Sequence, residues 1–308
     1  MANGLIHDGH EVLYLINNDE TVLTVLDGNG ISHKIWLDDD LEYWKNLLKT
    51  IEYSTVVIDL YDLKETFLEE LSSLVDGVCL FDDENLLSHY PVTWVVNGSP
   101  YARSINYPVG DSNVEFLLGC GYLCLREEFL AYRKKEVNKD AILALVIMGG
   151  SDPQKQTARC IEACLENYMD VFVSDSAGEN VLDTYINNHR VKFFSALENV
   201  AAIMNKVDIA ISGSGITALE LACVGVPTIL LELAENQRGN AESLERDAGF
   251  SFLGNFSNVN SDQITETVSG LKCDYTKRSL MMMQAQSLID GNGTKRVAQQ
   301  LALKAKNS

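Results

Sequence analysis

The sequence predicts two doubly wound α/β domains, and three observations carry that prediction. Short apolar runs alternate with amphipathic stretches, the pattern of repeated β-α-β units with helices covering both faces of a parallel sheet. The chain has 308 residues, more than one hydrophobic core normally serves, so two domains of roughly 150 residues each are expected. Hydrophobic residues make up 46% of it, broken into segments of ordinary strand or helix length rather than a run able to cross a bilayer.

Taken in order, strands are expected over residues 11–16, 55–59, 77–81, 93–97 and 115–120, with helices at 41–53 and 64–75 between them. The stretch 126–138 is rich in Lys, Arg and Glu and reads as a charged helical linker. It sets the expected boundary: residues 1–135 form one Rossmann-like domain and 136–308, with the last helix, the other. The second half repeats the alternation, with strands at 141–148, 169–174, 191–194, 207–212 and 227–231. Helices are expected at 154–165, 197–206, 216–224, 236–248 and 293–306.

Charge narrows the partners. A net charge of -20 repels the phosphate backbone of nucleic acid and the anionic face of a membrane. An anionic ligand can still be held where backbone N–H groups and helix amino termini create local positive potential. The seven cysteines are an odd number within apolar stretches, which fits reduced thiols in a cytoplasm. Cys160 and Cys164 share a helix face, but no further His or Cys pair completes a tetrahedral set, so no metal is expected. Residues 1–9 lack the basic and apolar regions of a secretory leader.

In doubly wound sheets ligands collect beyond the carboxyl ends of the strands, and three loops there stand out. The first, Met148-Gly149-Gly150-Ser151-Asp152-Pro153, brings backbone close to a ligand at a helix start. Alone it reads first as a tight turn with a Ser or Asp cap and Pro in the first helical position. The second, Ser212-Gly213-Ser214-Gly215-Ile216-Thr217, sets small residues and free N–H donors at a helix start, as a diphosphate cradle requires. Glu220, expected in that helix's first turn, suits the two ribose hydroxyls; its plain alternative is a favourable charge on the helix dipole. The third runs through Glu235, Asn236 and Gln237. Asn236 suits a cap and Gln237 a contact to sugar or phosphate. No G-x-G-x-x-G helix start occurs at these loops, so a nicotinamide cofactor is not expected.

These loops, in this order, resemble the second half of the glycosyltransferase B architecture, in which two Rossmann-like domains face a cleft. In detail they resemble the UDP-2,4-diacetamido-2,4,6-trideoxy-altropyranose hydrolases of pseudaminic-acid synthesis and the related spore-coat polysaccharide proteins. The stretches that carry it are Val57-Ile58-Asp59-Leu60-Tyr61, Phe81-Asp82-Asp83-Glu84, Leu125-Arg126-Glu127-Glu128-Phe129, Gly149-Gly150-Ser151-Asp152 and Glu198-Asn199-Val200-Ala201 with Met204-Asn205. Thr217-Ala218-Leu219-Glu220, Gly225-Val226-Pro227, Glu235-Asn236-Gln237 and Asp290-Gly291-Asn292-Gly293 with Arg296-Val297 complete the set, which covers nearly the whole chain. The resemblance implies a UDP-sugar ligand with the nucleotide on the second domain. Phe194 and the backbone near Val200 would flank uracil, and Gly149 and Gly150 would line the nucleotide site. Gly213, Ser214, Gly215, Ile216 and Thr217 would meet the diphosphate, Glu220 the ribose, and Asn236 and Gln237 the sugar or phosphate. Tyr61, Asn97 and Tyr101 would face the sugar from the first domain.

The sequence departs from that family at its start. Members open with a strand and a loop bearing Gly-His-x-x-Arg; here Met1 aligns with the middle of the following helix, so the first domain is expected to lack its first strand. Gly9-His10 precedes a strand and belongs to the sheet's amino end, away from the ligand crevice. Leu60 stands where the family often has a second histidine. The resemblance implies that the histidine of the Gly-His-x-x-Arg loop is the general base that activates water, and loss of such a base typically costs on the order of 10²- to 10⁴-fold in rate. Three resolutions of the absent strand stay open: a fragment, a strand supplied by another polypeptide, or a rearranged sheet. Three functions stay open as well, namely a UDP-sugar hydrolase, a glycosyltransferase of the same fold, and a non-catalytic nucleotide-sugar-binding partner subunit.

Overall fold

The computed structural model describes residues 1–16, 20–35, 46–48, 55–60, 63–108, 114–148, 156–195 and 199–305. The chain divides into two compact units. The first holds Met1–Gly98, Ala102–Cys124 and Asn292–Ser308; the second holds Ser99–Tyr101 and Leu125–Gly291.

The described elements of the first unit begin with α1 (Ala2–His7), β1 (Tyr14–Ile16), α2 (Glu20–Gly28), β2 (His33–Ile35), β3 (Thr55–Ile58) and α3 (Glu65–Ser72). They continue with β4 (Gly77–Phe81), β5 (Trp94–Asn97) and β6 (Glu115–Leu118). These strands form two sheets: β1 pairs with β2, and β3-β4-β5-β6 make a separate parallel sheet. His7 and Gly9, with φ +88°, close α1 ahead of β1, so the Gly9-His10 pair does lie at the strand's amino end.

Successive side chains of a strand point to opposite faces, and the four-stranded sheet is covered on both. Val78, Leu80 and Val95 pack with Leu68, Leu71, Tyr90 and Tyr107 on one side. Cys79, Trp94, Val96 and Leu117 pack on the other with Val297 and Leu301. Those two residues lie on α12 (Gly293–Ala305). The last helix, expected with the second domain, thus belongs to the first unit's core. Backbone meets backbone there: a Cβ on Gly293 would lie 2.1 Å from the Leu123 carbonyl oxygen.

The second unit contains α4 (Glu127–Ala131), β7 (Leu143–Ile147), α5 (Thr157–Glu166), β8 (Asp170–Ser174), α6 (Glu179–Tyr185), β9 (Val191–Phe194) and α7 (Val200–Lys206). It continues with β10 (Ile209–Gly213), α8 (Ile216–Val224), β11 (Thr228–Glu232), α9 (Arg238–Ala248), β12 (Ser251–Asn255), α10 (Ser261–Cys273) and α11 (Tyr275–Leu288). The sheet runs β9-β8-β7-β10-β11-β12, all parallel. That is the doubly wound order, and its direction of winding reverses between β7 and β10.

The charged stretch expected as a linker is mostly not helix. α4 covers only Glu127–Ala131, and the Lys134 N–H then bonds to the Val224 carbonyl at 2.8 Å. Residues 125–135 are thereby tied to the second unit, so the change of unit falls at Cys124/Leu125 rather than near 135. β10 and β11 are buried along their whole length, as central parallel strands require. α8 is apolar nearly all round and buries seven residues, which marks an internal helix. It ends at Gly225, where φ is +86° and the N–H bonds to the Leu221 carbonyl at 2.9 Å, a left-handed cap that glycine adopts without strain.

Arg278 on α11 is fully buried. Its guanidinium donates to the carbonyls of Leu271, Lys272, Asn138 and Lys139 at 2.5 to 2.8 Å. It fastens α10 and the segment before β7 to α11. Among the described residues, no helix is long and apolar enough to cross a membrane.

Candidate functional site

The carboxyl ends of β7 and β10 are neighbours, paired as far as Ile147 with Ser212, and they bracket the point where the sheet's winding reverses. Two of the three loops singled out from sequence therefore begin side by side. Residues 149–155 of the first, with Gly149 and Gly150, lie outside the described residues, as does Tyr61.

The second loop is built by substitution of small residues at close quarters. A Cβ on Gly213 would lie 2.7 Å from Leu233 Cδ1 and 3.2 Å from the Met148 carbonyl oxygen, so any larger residue must push one of them aside. Ser214 is fully buried. Its N–H donates to the Leu231 carbonyl and to Gln237 Oε1, each at 3.1 Å, and its hydroxyl donates to the Leu231 carbonyl at 2.9 Å. Ser214, expected to meet a ligand, is consumed instead in joining the ends of β10 and β11. Gly213 likewise serves packing.

What the loop leaves open is the amino end of α8. Gly215 is the N-cap residue and has no side chain to close the helix. The N–H groups of Gly215, Ile216 and Thr217 precede the first intrahelical bond, which the Ala218 N–H makes to the Gly215 carbonyl at 3.1 Å. Ile216 is half exposed at that end and Thr217 is buried. The Gln237 side chain stands beside it. Its Oε1 accepts from the Ser214 and Leu233 N–H groups at 3.1 and 3.2 Å. Two backbone donors fix which end of the carboxamide is oxygen. Nε2 then lies 3.6 Å from the position of a Cβ on Gly215, putting a donor next to the α8 amino end.

Glu220 sits one turn further in. α8 carries no acidic residue in its first turn, so the dipole role considered from sequence does not apply. The carboxylate is 17% exposed and lies 3.9 Å from Arg126 Nη2. Burial pushes its pKa up to about 7; Arg126 lowers it and Glu128 raises it. The Arg126 guanidinium is closer to Glu128 Oε1, at 2.9 Å, and rests 5.0 Å from the Phe129 ring centroid. Sequence reading quoted Leu125-Arg126-Glu127-Glu128-Phe129 but gave it no role. Its proximity to Glu220 is a tertiary fact that no spacing along the chain encodes.

Other expected site residues are placed differently. Asn97 is buried, its Nδ2 donating to the Tyr107 hydroxyl at 2.9 Å, and that hydroxyl donates to the Asp82 carbonyl at 2.7 Å. It locks the first unit's core instead of facing a sugar. Tyr101 groups with the second unit and packs on Gly239, where a Cβ would meet the ring at 2.7 Å. Phe194 is 3% exposed at the end of β9, so its ring belongs to the core. Val200 opens α7, whose cap Asn199 accepts from the Ala202 N–H at 2.8 Å. Asn236 lies exposed in the short 3-10 turn Glu235–Gln237, and α9 has no side-chain cap.

Beside this region, Glu232 is 2% exposed at the end of β11. Arg238 pairs with it at 3.0 and 3.2 Å, and Asn255 Nδ2 donates to it at 3.3 Å. Among the described residues no group of three or more His, Cys, Asp or Glu is arranged to hold a metal ion. Cys160 and Cys164 are buried free thiols.

Parallel Rossmann-like sheets with a reversal point of this kind define the class: an α/β protein of glycosyltransferase-B-like fold. More particularly, residues 144–301 match the glycosyltransferase family 28 C-terminal domain, and the chain belongs to that family. It is 26% identical over 262 residues to the spore coat polysaccharide biosynthesis protein SpsG of Bacillus subtilis, covering 81% of this chain and 76% of that protein. It is 27% identical over 244 residues to the uncharacterised protein MJ1062 of Methanocaldococcus jannaschii, covering 74% of this chain and spanning half the length of that relative. Acinetobacter baumannii MurG shares the fold with a TM-score of 0.67 at 13% identity, covering 98% of this chain and 93% of that one. Anabaena HepE, solved with UDP and glucose, shares it with a TM-score of 0.58 at 12% identity, over 94% and 91% of the two chains.

Proposed function

We propose that this protein binds a UDP-linked sugar, with the nucleotide on the second unit, and acts as a UDP-sugar hydrolase on a diacetamido-trideoxyhexose for surface-polysaccharide or nonulosonic-acid synthesis. One observation carries the reading: at the reversal point of the sheet an uncapped helix start is followed, one turn later, by a half-buried carboxylate. The N–H groups of Gly215, Ile216 and Thr217 take the diphosphate, helped by Gln237 Nε2, since charge-assisted bonds at a helix start favour an anion. Glu220 accepts from the ribose hydroxyls. The Val200 backbone reads uracil, and Asn236 and Tyr101 contact the sugar.

In the reaction a water oxygen bonds to the anomeric carbon while that carbon's bond to the diphosphate oxygen breaks. UDP leaves with the bonding electrons, and water gives up a proton. A general base that takes this proton contributes on the order of 10²- to 10⁴-fold to such a step, and Leu60, where the family often has its second histidine, cannot supply it. Family membership supports a second reading, transfer of the sugar to an acceptor hydroxyl in place of water.

The test is calorimetric titration with UDP, then assay of UDP release from the candidate sugar nucleotide with and without acceptors. Release without an acceptor is the expected result. Release only with an acceptor would favour the transferase, and binding without release a non-catalytic binding subunit. No binding would end the nucleotide-sugar proposal.

A further inference from the structure

Glu220 and Glu128 stand on either side of one guanidinium. Arg126 Nη1 is 2.9 Å from Glu128 Oε1, whereas Nη2 is 3.9 Å from Glu220 Oε1. The closer contact is poorly formed: Glu128 Oε1 is buried, yet off the hydrogen-bonding line, and makes no hydrogen bond. Arg126 is itself 62% exposed, with its guanidinium carbon over the buried Phe129 ring. A cation held by a misaligned ion pair, with a second carboxylate within reach, is free to exchange partners at little cost.

We infer that Arg126 is a positioning residue shared between Glu128 and Glu220, and that Glu128 withholds it from Glu220 until a nucleoside engages the Glu220 carboxylate. This rests on the nucleotide reading above and adds to it a device that ties nucleoside affinity to proton concentration. With the guanidinium on Glu128, Glu220 is buried and poorly compensated, so much of it is protonated near neutrality. Ribose hydroxyls bond best to the ionised form, so binding releases a proton and draws Arg126 across.

Among the described residues, these are the charged and titratable groups that interact with Glu220. α4 and the residue before it contribute Glu128 and Arg126, and α8 itself contributes Cys223. Beyond Cys223 lie Arg133 and Asp290. Burial pushes the Cys223 thiol up to about 11, so it stays neutral across the range concerned.

The test compares the unaltered protein with the Arg126→Gln and Glu128→Gln variants. Uridine, which has no phosphate to titrate, is the probe, titrated from pH 5.5 to 8.5. The Glu220 carboxyl carbon is followed by NMR in the free protein, assigned by its loss in Glu220→Gln. Wild-type affinity is expected to rise through pH 7. Glu128→Gln should move the midpoint down; a fall of about one pH unit raises the ionised fraction at pH 6 about fivefold, with affinity following. Arg126→Gln should move it up. The two opposite shifts are a signature that mere loss of packing would not give. Shifts in the same direction, or none while UDP still binds, would overturn the inference and leave the nucleotide reading standing. If neither UDP nor uridine binds at any pH, both fall.

Discussion

Replacing Glu220 by Gln should make the protein more stable above neutral pH while weakening nucleotide binding. The Glu220 carboxyl is raised from 4.5 to about 7, chiefly by burial. That displacement corresponds to about 3 kcal/mol against the ionised native state. Between the two values the native chain binds more protons than the unfolded chain, so its stability falls as pH rises from 4.5 through 7 and stays low above. Movement of Arg126 from 3.9 Å toward the new charge offsets part of this, leaving about 1 to 3 kcal/mol. The glutamine variant carries no such titration. Urea unfolding followed by far-UV circular dichroism at pH 5 and pH 8 measures both chains. The stability difference, variant minus wild type, should grow by that amount between the two pH values. A difference that does not change with pH would refute the reasoning, since the burial of the carboxylate would then cost nothing.

Other consequences follow from the same contacts. Arg278→Met removes the donors from four backbone carbonyls in a fully buried position and should cost about 2 to 4 kcal/mol in urea unfolding; a loss below about 1 kcal/mol would show the carbonyls finding other partners. Gly213→Ala must push Leu233 or the Met148 carbonyl aside, so unfolding should show a loss of about 1 to 3 kcal/mol, with UDP affinity falling as the loop shifts. Gln237→Ala removes the carboxamide oxygen shared by the Ser214 and Leu233 N–H groups and takes Nε2 from beside Gly215; calorimetry should show UDP binding weakened by about 1 to 2 kcal/mol, and unchanged affinity would exclude Gln237. Glu220→Ala should weaken UDP binding by about 1 to 3 kcal/mol, read in the same titration.

Short apolar runs made most strands legible in the sequence, the fully buried β10 and β11 and the edge strand β9 alike. Gly77–Phe81 and Val191–Phe194 lie at the expected residues, and β7, β10 and β11 within two residues of them. β2 and β12 were missed for physical reasons. His33-Lys34-Ile35 is three residues with two polar side chains. Ser251–Asn255 contains Gly254 at φ +98° and pairs with β11 through an irregular register. The charged stretch after Leu125 misled because Lys134, exposed in most proteins, is buried here with its Nζ on the Asn205 carbonyl.

At the candidate site, sequence identified the loop and Glu220 but not which groups remain free. Ser214 looked like a ligand contact because serine at a helix start often is one; its hydrogen bonds to Leu231 and Gln237 depend on β11 lying alongside. Asn97 entered only as what the family resemblance implies, and Tyr107, ten residues on, claims it. Residue type and strand end locate the region. Which polar atoms are left over is decided by neighbours distant in the chain.

The most direct test of the central claim is a crystal structure of the protein soaked or grown with UDP. The diphosphate oxygens should lie within about 3 Å of the N–H groups of Gly215, Ile216 and Thr217, with both ribose hydroxyls on the Glu220 carboxylate. UDP bound elsewhere, with the start of α8 left empty, would contradict it.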